Sequence, residues 1–474
     1  MRISGLARSL LLLITAGACQ DKSLPPFVTD TETNHWINQQ MQLWYYWDNK
    51  LPARPDYTLQ PEAFFSSLLY RYDATARPDG DRFSWIQQSA DELKSYLSGE
   101  AVTYGMEYRI ITIPAIQKTL FNVLYVLPGS PADQAGIKRG DFFSEINGKP
   151  VTNANYASLL AGSTAKSFQA VRYNTETNQL EPLASVSVTP VKFQEDPAHY
   201  QEVKTIGTRK IGYLVYHSFF PSTNGTNDQK YDKKLESIFN DFKNKQVNEL
   251  ILDLRYNSGG YVTSAVQLAS LIAKNVGNRP VFSIKEYNPE ITAILKKRYG
   301  SDHFEDRFLV KPQNIGGQLE KIYVLTSRWT ASASELLING LLPYMPVVLV
   351  GTTTSGKNVG SVTLSDPKNR TNWGLQPIVS KSFNSLKKSD YSGGFHPDYE
   401  AIDGIQLYPY GDLRDPLLQK AIELITGTDQ QSAARTSSEK GGNTWSFTEN
   451  ASSLSNHPAD GSMFEILPEI GVIE

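Results

Sequence analysis

The sequence predicts a mixed α/β fold: a core made of a β-sheet with covering helices, an inserted β domain, and an N-terminal helical domain. Two observations lead to this prediction. Between residues 196 and 428, apolar runs of strand length alternate with helical stretches, which is the pattern of a sheet covered by helices. Between residues 99 and 195, short strands and hairpin turns replace that alternation. With 474 residues, 40% of them hydrophobic and 20% charged, the chain has an ordinary globular composition and room for several domains.

Residues 1–18 have the pattern of a secretory signal peptide. Two arginines precede an apolar core at residues 10–14, which is too short to span a bilayer. Cys19, the only cysteine in the chain, follows small residues at the end of that core. This position resembles a bacterial lipobox, although Ala16 stands where leucine is usual. The resemblance implies lipidation of Cys19 and an extracytoplasmic protein anchored to a bacterial membrane; ordinary cleavage near Ala18 is the alternative.

Residues 19–98 are predicted to form the helical domain. Aromatic and apolar residues from Trp36 to Trp47 recur at helical spacing, which indicates a buried helix face. Pro61 opens a second helix at a position where its missing N–H costs nothing. Ser89 and Glu92 fit a capping box at the start of a third short helix.

Residues 99–195 carry an ordered set of short motifs. They are Gly-Ser-Pro-Ala at 129–132, Ala-Gly-Ile at 135–137, Arg-Gly-Asp at 139–141 and Ile-Asn-Gly at 146–148. The Asn-Gly pair between apolar runs predicts a β-hairpin. Together the motifs resemble a PDZ domain. That resemblance implies binding of an extended peptide by its free C-terminus, with a carboxylate-binding loop beginning near Gly105. A small β domain that only packs against its neighbours is the alternative.

In the core, two strands end in turns that bear potential catalytic side chains. Ser332 lies in Thr-Ala-Ser-Ala-Ser-Glu after the apolar run 322–325, and Lys357 ends Gly-Thr-Thr-Thr-Ser-Gly-Lys after the run 347–350. A serine needs a base to take its proton, and lysine is a base only when it is neutral. Because a free lysine has a pKa near 10.4, such a site must lower that pKa by about three units, or about 4 kcal/mol.

A third strand ends in Asn-Ser-Gly-Gly at residues 257–260, where paired glycines let backbone N–H groups approach a ligand closely. The order Gly-Gly, serine, lysine resembles the C-terminal processing peptidases, the Ser/Lys carboxyl-terminal proteases with a PDZ domain. The resemblance implies that Ser332 is the nucleophile and that Lys357, 25 positions later, is the general base. It further implies that the amides of Ala333 and Gly260 hold the oxyanion, a role in which each donor is worth about 10²–10³ in rate.

Two further positions are compared with this family. Many members have a glutamine four residues after the lysine, which helps to orient it, whereas this chain has the shorter Ser361. Glu335, three residues after the nucleophile, matches a family position that helps to orient the site. Its other interpretation is an acidic residue that favours a helix N-terminus. The third member of the site is therefore left open between these residues.

Two other functions are alternatives to a Ser/Lys peptidase. His217 follows a predicted strand and is the candidate base of a tricorn-like Ser/His peptidase. A non-catalytic surface lipoprotein that binds ligands or peptides is a second alternative, because one fold hosts many functions. The six histidines have no metal-ligand spacing, so no metal and no other cofactor is predicted.

The charge balance of the chain bears on its expected partners. The net charge is −3, with 46 basic and 49 acidic residues, so no basic footprint points to nucleic acid. The expected partners are protein or peptide substrates, with the membrane as a partner through the lipid anchor.

Residues 429–474 are rich in Ser, Gly, Asn and Thr, which predicts a flexible tail.

Overall fold

The computed structural model describes residues 29–97, 99–174, 177–223, 228–427, 446–456, 463–466 and 468. The predicted signal peptide and Cys19 lie outside these residues. Within them, no helix combines the length and the apolar character that crossing a bilayer requires. The helices are α1 (Asp30–Trp44), α2 (Pro61–Leu68), α3 (Ala90–Leu97), α4 (Pro131–Gln134), α5 (Tyr156–Leu160), α6 (Lys230–Asn244), α7 (Val262–Ile272), α8 (Pro289–Tyr299), α9 (Ala333–Leu341) and α10 (Pro416–Thr426).

The N-terminal helices form as the sequence predicts. Pro61 is the first residue of α2. The amide of Glu92 donates to the Ser89 hydroxyl at 3.1 Å, which is the predicted cap of α3. The aromatic faces of α1 and α2 pack into one apolar cluster with α8, so these helices are attached to the core domain. A small sheet in the order β1-β20-β19 also joins the two parts. Its strands are β1 (Trp85–Gln87), β19 (Leu364–Ser365) and β20 (Gly374–Gln376).

The inserted domain is built on an antiparallel sheet in the order β23-β3-β4-β5-β7-β8, with β6 paired to β5. In the turn between β5 and β6, Asn147 and Gly148 have φ values of 52° and 70°, which confirms the predicted hairpin. A separate pair, β2 with β9, lies at the entry and exit of the domain. The strands are β2 (Glu100–Thr103), β3 (Met106–Ile113), β4 (Lys118–Val126), β5 (Phe142–Ile146), β6 (Lys149–Pro150), β7 (Lys166–Asn174), β8 (Gln179–Val188), β9 (Val191–Gln194) and β23 (Thr448–Ser452).

The core domain holds the predicted alternation of strands and helices. Its central sheet has the order β10-β11-β12-β16-β17-β22, and its strands are parallel except for β10. Helices α6, α7 and α9 cover one face and α10 covers the other. Burial on both faces explains why four of the parallel strands, β11, β12, β16 and β17, contain continuous apolar runs, whereas the two-residue β22 is exposed. The strands are β10 (Ala198–Ile206), β11 (Arg209–Tyr216), β12 (Glu249–Asp253), β16 (Ile322–Thr326), β17 (Val347–Gly351) and β22 (Tyr399–Glu400).

A second sheet lies beside the ends of the central strands, in the order β13-β24-β18-β21-β14-β15. It collects short segments from distant parts of the chain. They are β13 (Gly260–Tyr261), β14 (Val281–Tyr287), β15 (Glu305–Arg307), β18 (Val359–Ser361), β21 (Ile378–Asn384) and β24 (Met463–Phe464).

Two strands of the C-terminal region differ from the flexible tail that the sequence predicted. Residues 446–456 include β23, which extends the sheet of the inserted domain, and residues 463–466 include β24. Each segment is too short to show a strand period by itself. They are ordered because distant strands offer unpaired edges, which a sequence pattern cannot show. The rest of the predicted tail lies outside the described residues.

Candidate active site

Ser332 lies at the sharp junction between β16 and α9. Its backbone has φ 61° and ψ −114°, a conformation that residues other than glycine rarely adopt. Such a conformation costs about 1–3 kcal/mol and persists only where the surrounding structure enforces it. The side chain is buried, and its Oγ makes no hydrogen bond with any residue that the structure describes. A strained turn that presents an unpaired hydroxyl is the arrangement expected of a nucleophile.

Lys357 lies in the turn after β17. The preceding residue, Gly356, has φ 89°, and a Cβ there would meet the carbonyl oxygen of Ser392 at 2.3 Å, so the turn requires glycine. The Lys357 side chain is 1% exposed, and its Nζ lies 4.9 Å from the centre of the Phe83 ring. Arg82 donates to the Gly356 carbonyl at 3.0 Å. The N-terminal domain therefore covers the lysine that the sequence predicted.

One buried carboxylate joins the two turns. Oε2 of Glu335 accepts from the backbone amides of Ser332 at 2.9 Å and Lys357 at 2.8 Å. Its other oxygen, Oε1, accepts from the amide of Gly356 at 2.7 Å and from the hydroxyl of Thr354 at 2.5 Å. The main chains of the predicted nucleophile and base are thus held by the same oxygen atom.

The Glu335 carboxylate is buried away from water. Burial raises its pKa above the ordinary range, and its hydrogen bonds to the Thr354 hydroxyl and to three amides oppose that change. The sequence offered two interpretations of this residue, orientation of the site and a favourable charge at a helix start. Both apply, because Glu335 lies in the first turn of α9 and also reaches the lysine turn.

The Gly-Gly turn is bonded directly to the serine turn. The amide of Ala331 donates to the Asn257 carbonyl at 3.1 Å, and the Ser334 hydroxyl donates to the same oxygen at 3.0 Å. Gly260 has φ 135°, and a Cβ there would meet the Phe219 carbonyl oxygen at 2.4 Å. All three predicted motifs therefore meet at one end of the central sheet.

The backbone positions of the two amides predicted to hold an oxyanion, those of Ala333 and Gly260, are compatible with that role. Ala333 is the first residue of α9, where a backbone N–H has no acceptor within the helix. Gly260 is flanked by residues that bond Phe219: the Gly259 carbonyl accepts from its amide at 2.9 Å, and the Tyr261 amide donates to its carbonyl at 2.7 Å. Because alternate peptide groups in a strand point to opposite edges, the N–H of Gly260 points away from Phe219.

Ser361, the residue found where the family's glutamine is expected, bonds elsewhere. Its hydroxyl donates to the Met463 carbonyl at 3.1 Å and accepts from the side-chain amide of Gln376 at 3.0 Å. Its contacts are therefore with the C-terminal strand β24 and with β20. Gln376, which the sequence did not single out, supplies a glutamine amide in this region from a different strand.

The alternative base, His217, lies in an aromatic cluster. Its ring stacks on His199 with centroids 4.4 Å apart, and its Nε2 lies 3.1 Å from the Tyr410 hydroxyl. Burial lowers the pKa of His217 well below its usual value. Since Ser332 Oγ has no hydrogen-bond partner among the described residues, His217 is not bonded to it.

The predicted carboxylate-binding loop of the inserted domain is already engaged. The amide of Gly105 donates to the Thr103 hydroxyl at 3.0 Å, and its carbonyl accepts from the amide of Leu127 at 2.8 Å. The neighbouring edge of β3 pairs in antiparallel fashion with β23. The amide of Gly105 and the edge of β3 at residues 109–112 are therefore bonded within this chain.

Sequence reasoning missed the two residues of the N-terminal domain that reach the lysine turn. Arg82 bonds the carbonyls of Gly356 and Ser392, and Phe83 lies under Lys357 Nζ. Both follow Asp81, whose carboxylate accepts from the amide of Phe83 at 2.8 Å and fixes the turn. Nothing in the local sequence separates these residues from an ordinary loop.

Comparison with known protein families finds three matched regions. Residues 210–401 match the family described as Peptidase family S41. Residues 32–85 match the Peptidase S41 N-terminal domain. Residues 123–169 match a PDZ domain. These regions correspond to the core, the helical domain that carries Arg82 and Phe83, and the inserted β domain.

Individual relatives agree with this assignment. The chain is 25% identical over 336 residues to a carboxyl-terminal-processing protease of Picosynechococcus, with 70% of this chain and 72% of that protein aligned. It is 27% identical over 304 residues to the carboxy-terminal processing protease CtpA of Bacillus subtilis. That alignment covers 62% of this chain and 58% of the relative, so the chain spans less than two thirds of its length.

A solved structure is similar over most of the fold. The crystal structure of a putative S41 protease from Bacteroides fragilis superposes with a TM-score of 0.68 at 29% sequence identity. The match covers 83% of this chain and 98% of that structure. The helical domain, the inserted β domain and the core therefore recur together in a known arrangement.

Proposed function

Because this chain belongs to peptidase family S41, and is thereby a serine-type peptidase, we propose that it is an endopeptidase of the C-terminal processing type. Its nucleophile is Ser332 and its general base is Lys357. The observation that carries this proposal is the Glu335 carboxylate, whose Oε2 bonds the amides of both residues. A buried group that fixes both candidate catalytic turns at once supplies the mutual positioning that a two-residue catalytic site requires.

The chemistry follows from the positions of these groups. Neutral Lys357 accepts the proton of the Ser332 hydroxyl while Oγ forms a bond to the scissile carbonyl carbon. The carbonyl oxygen gains negative charge, which the amides of Ala333 and Gly260 stabilise. Collapse of this intermediate breaks the C–N bond, and Lys357 returns the proton to the leaving amine. Water then hydrolyses the acyl-enzyme, with Lys357 again serving as the base.

The Ser332 hydroxyl has no hydrogen-bond partner in the part of the chain that the structure describes. Catalytic hydrogen bonds are often long or poorly aligned in a free enzyme and shorten once substrate is bound. The nearby Phe83 ring and the burial of Lys357 keep water from the lysine. Burial in general favours the neutral form of an amine, which is the form that can act as a base.

The dyad is tested by hydrolysis of an unfolded protein and of a fluorogenic peptide. Ser332→Ala and Lys357→Ala should each lower kcat by at least about 10³-fold while thermal unfolding stays nearly unchanged. The double variant should be scarcely slower than either single one, because the two groups act as a unit. Lys368→Ala, at an exposed position nearby, is the matched control and should keep full activity.

The same assay separates the alternatives. Full activity in Lys357→Ala would overturn the Ser/Lys mechanism, and silencing by His217→Ala would favour the Ser/His mechanism. No hydrolysis by the wild-type chain under any condition would favour the non-catalytic binding protein. Substrate selection through a free C-terminus is proposed as well, supported by the PDZ match; a bound carboxylate would have to displace the Thr103 hydroxyl from the amide of Gly105. A substrate with a free terminal carboxylate should be cleaved faster than its amidated copy.

We further propose that the protein acts outside the cytoplasm, attached to a bacterial membrane through acyl chains on Cys19. The signal-like residues 1–18 and the single cysteine that follows them support this proposal. Cys19→Ser should move the protein from the membrane fraction to the soluble fraction, or leave it unprocessed. Metabolic labelling with a fatty acid measures the modification, and an unlabelled, soluble wild-type protein would contradict it.

A further inference from the structure

The last described strand of the chain, β24, fills a slot in the second sheet. It pairs in parallel with β13, where Met463 is opposite Gly260 and Phe464 is opposite Tyr261. On its other side, Phe464 is opposite Ser361 of β18. In the sheet order, β24 stands between β13 and β18. These two strands are therefore the walls of a slot one strand wide.

Both walls are supported without the strand that lies between them. β13 is bonded on its far side to Phe219, and β18 pairs on its far side with β21. The strand in the slot, in contrast, is only two residues long. A strand of this length forms few backbone bonds, so its departure leaves an open groove with two intact edges.

The slot opens on the proposed catalytic centre. Gly260, one proposed oxyanion donor, lies in its wall, and its N–H points to the side on which β24 lies, away from Phe219. The opposite wall, β18, begins two residues after Lys357. An extended peptide in this slot has its backbone next to the groups that would act on a scissile bond.

The side chains of the segment occupy well-formed pockets. Met463 is fully buried, with its sulfur 3.5 Å from the Ser382 hydroxyl. The Phe464 ring meets the Tyr261 ring edge to face, with centroids 5.6 Å apart. Phe464 also shares an apolar cluster with Leu93 of the N-terminal domain. Two successive apolar side chains are thus enclosed by different parts of the protein.

The next residue, Glu465, is held by polar groups. Its amide donates to the Ser361 carbonyl at 3.0 Å. Its carboxylate accepts from the hydroxyls of Tyr287 and Ser380, and Lys285 Nζ lies 3.9 Å away. The carboxylate is buried, so this pocket pairs a buried acid with two hydroxyl donors and a cation. It is suited to an acidic side chain.

A second contact ties the same region of the chain to the inserted domain. β23 pairs with β3, and the Ser453 hydroxyl accepts from the amide of Tyr108 at 2.8 Å. The C-terminal region thus adds one strand to the edge of the PDZ sheet and another to the peptidase slot. Strand addition to an open edge is how extended peptides are commonly bound.

We propose that the slot between β13 and β18 is the substrate groove of the peptidase, and that Met463–Glu465 occupies it in cis as a built-in competing ligand. The groove takes an extended peptide with two apolar residues followed by an acidic one. External substrate is admitted when this segment leaves. The inference rests on the proposed function for its catalytic consequence, whereas the binding of the segment is a separate property.

The test compares three full-length variants. Phe464→Asp places a charge in an apolar pocket, and Glu465→Lys places a cation beside Lys285. Both should release the segment and raise kcat/KM for an external peptide by about tenfold, if the segment fills the slot about nine tenths of the time. Ile466→Asp is the matched control, because this neighbouring side chain is 55% exposed, and it should leave the rate unchanged.

A synthetic peptide of sequence Ser-Met-Phe-Glu-Ile-Leu, which corresponds to residues 462–467, provides a second measurement. It should inhibit the two released variants competitively, raising KM without changing kcat. The copy with lysine in place of glutamate should inhibit much less. Unchanged hydrolysis in both variants, with unfolding temperatures like the wild type and no competition by the peptide, would overturn the proposal.

Binding is also measured without catalysis. The labelled peptide is titrated into a chain that carries Ser332→Ala and Phe464→Asp, and fluorescence anisotropy is recorded. Saturable binding that the lysine copy lacks supports the groove even if no variant hydrolyses peptides, in which case only the proposed peptidase activity fails. Absence of binding here, in a chain whose parent variant is active, refutes the groove assignment alone.

Discussion

The two turns that carry Ser332 and Lys357 and the joint between the inserted domain and the core are both buried and polar, yet different groups hold them. At the turns, a single carboxylate, Glu335, accepts from three backbone amides and one hydroxyl. At the joint, arginine side chains from both domains meet a set of aspartates. One region is fixed through its main chain, and the other through flexible side chains.

The joint centres on Arg255, which follows β12. It donates to Asp253 and to Asp415 through separate nitrogens, each at 2.8 Å, and to Asp403 at 2.9 Å. Arg139 of the inserted domain approaches the same aspartates, at 3.5 Å from Asp403 and 3.4 Å from Asp415. Burial alone would raise the pKa of the Asp403 carboxyl group. The positive charges of Arg255 and Arg139 have the larger effect and hold this pKa below its usual range.

The difference shows what each region requires. A backbone amide cannot rotate away from its acceptor, so Glu335 sets the main-chain positions of Ser332 and Lys357 together. Catalysis needs such precision, because reacting groups must be held within about 0.5 Å of a productive geometry. Ion pairs between long side chains keep two domains together while tolerating small displacements. Their net contribution to stability is limited, because both charges must first lose water.

The largest effect is expected when the Glu335 carboxylate is changed. Glu335→Gln replaces one acceptor oxygen with an NH₂ group, which then faces amide donors. Two of the four hydrogen bonds are lost, and buried donors remain unpaired, at about 1–3 kcal/mol each. We expect kcat to fall by about 10²-fold or more with a much smaller change in KM, because the substrate groove is not touched.

Steady-state kinetics and thermal unfolding measured together distinguish positioning from folding. Glu335→Asp keeps the charge but is shorter by one methylene, so it should restore part of the kcat that glutamine loses. If both variants unfold at lower temperature and have a raised KM, while kcat per folded molecule is unchanged, then Glu335 is structural only. The two turns would then be no different in kind from the joint.

The sequence predicted most of the fold and part of this site. Four buried parallel strands and the Asn147-Gly148 hairpin have local signals that survive in the structure. The three motifs that carry Gly260, Ser332 and Lys357 were found because each follows a strand, and strand ends of a parallel sheet gather at one edge.

The parts that were missed depend on contacts between distant residues. Phe83 lies under Lys357 only because the N-terminal domain folds back onto the core. β23 and β24 are ordered by edges that belong to other domains. Glu335 had the right position in sequence, but its bond to the lysine turn joins residues 22 apart and follows no helical or strand period.

A smaller effect on catalysis is expected when the joint is weakened. Arg139→Met leaves Asp403 and Asp415 with Arg255 as a partner, so the turn before Gly260 stays in place. Removing one member of a buried ion cluster costs about 3–5 kcal/mol, and the remaining arginine favours the lower end of that range. Denaturant unfolding should show this loss, while kcat falls less than tenfold.

Arg172→Met, which removes an exposed pair with Glu181, is the matched control and should change the free energy of unfolding by at most about 1 kcal/mol. If Arg139→Met instead reduced kcat as much as Glu335→Gln did, without loss of stability, the joint would be part of the catalytic machinery. The distinction between main-chain and side-chain fixation would then have to be abandoned.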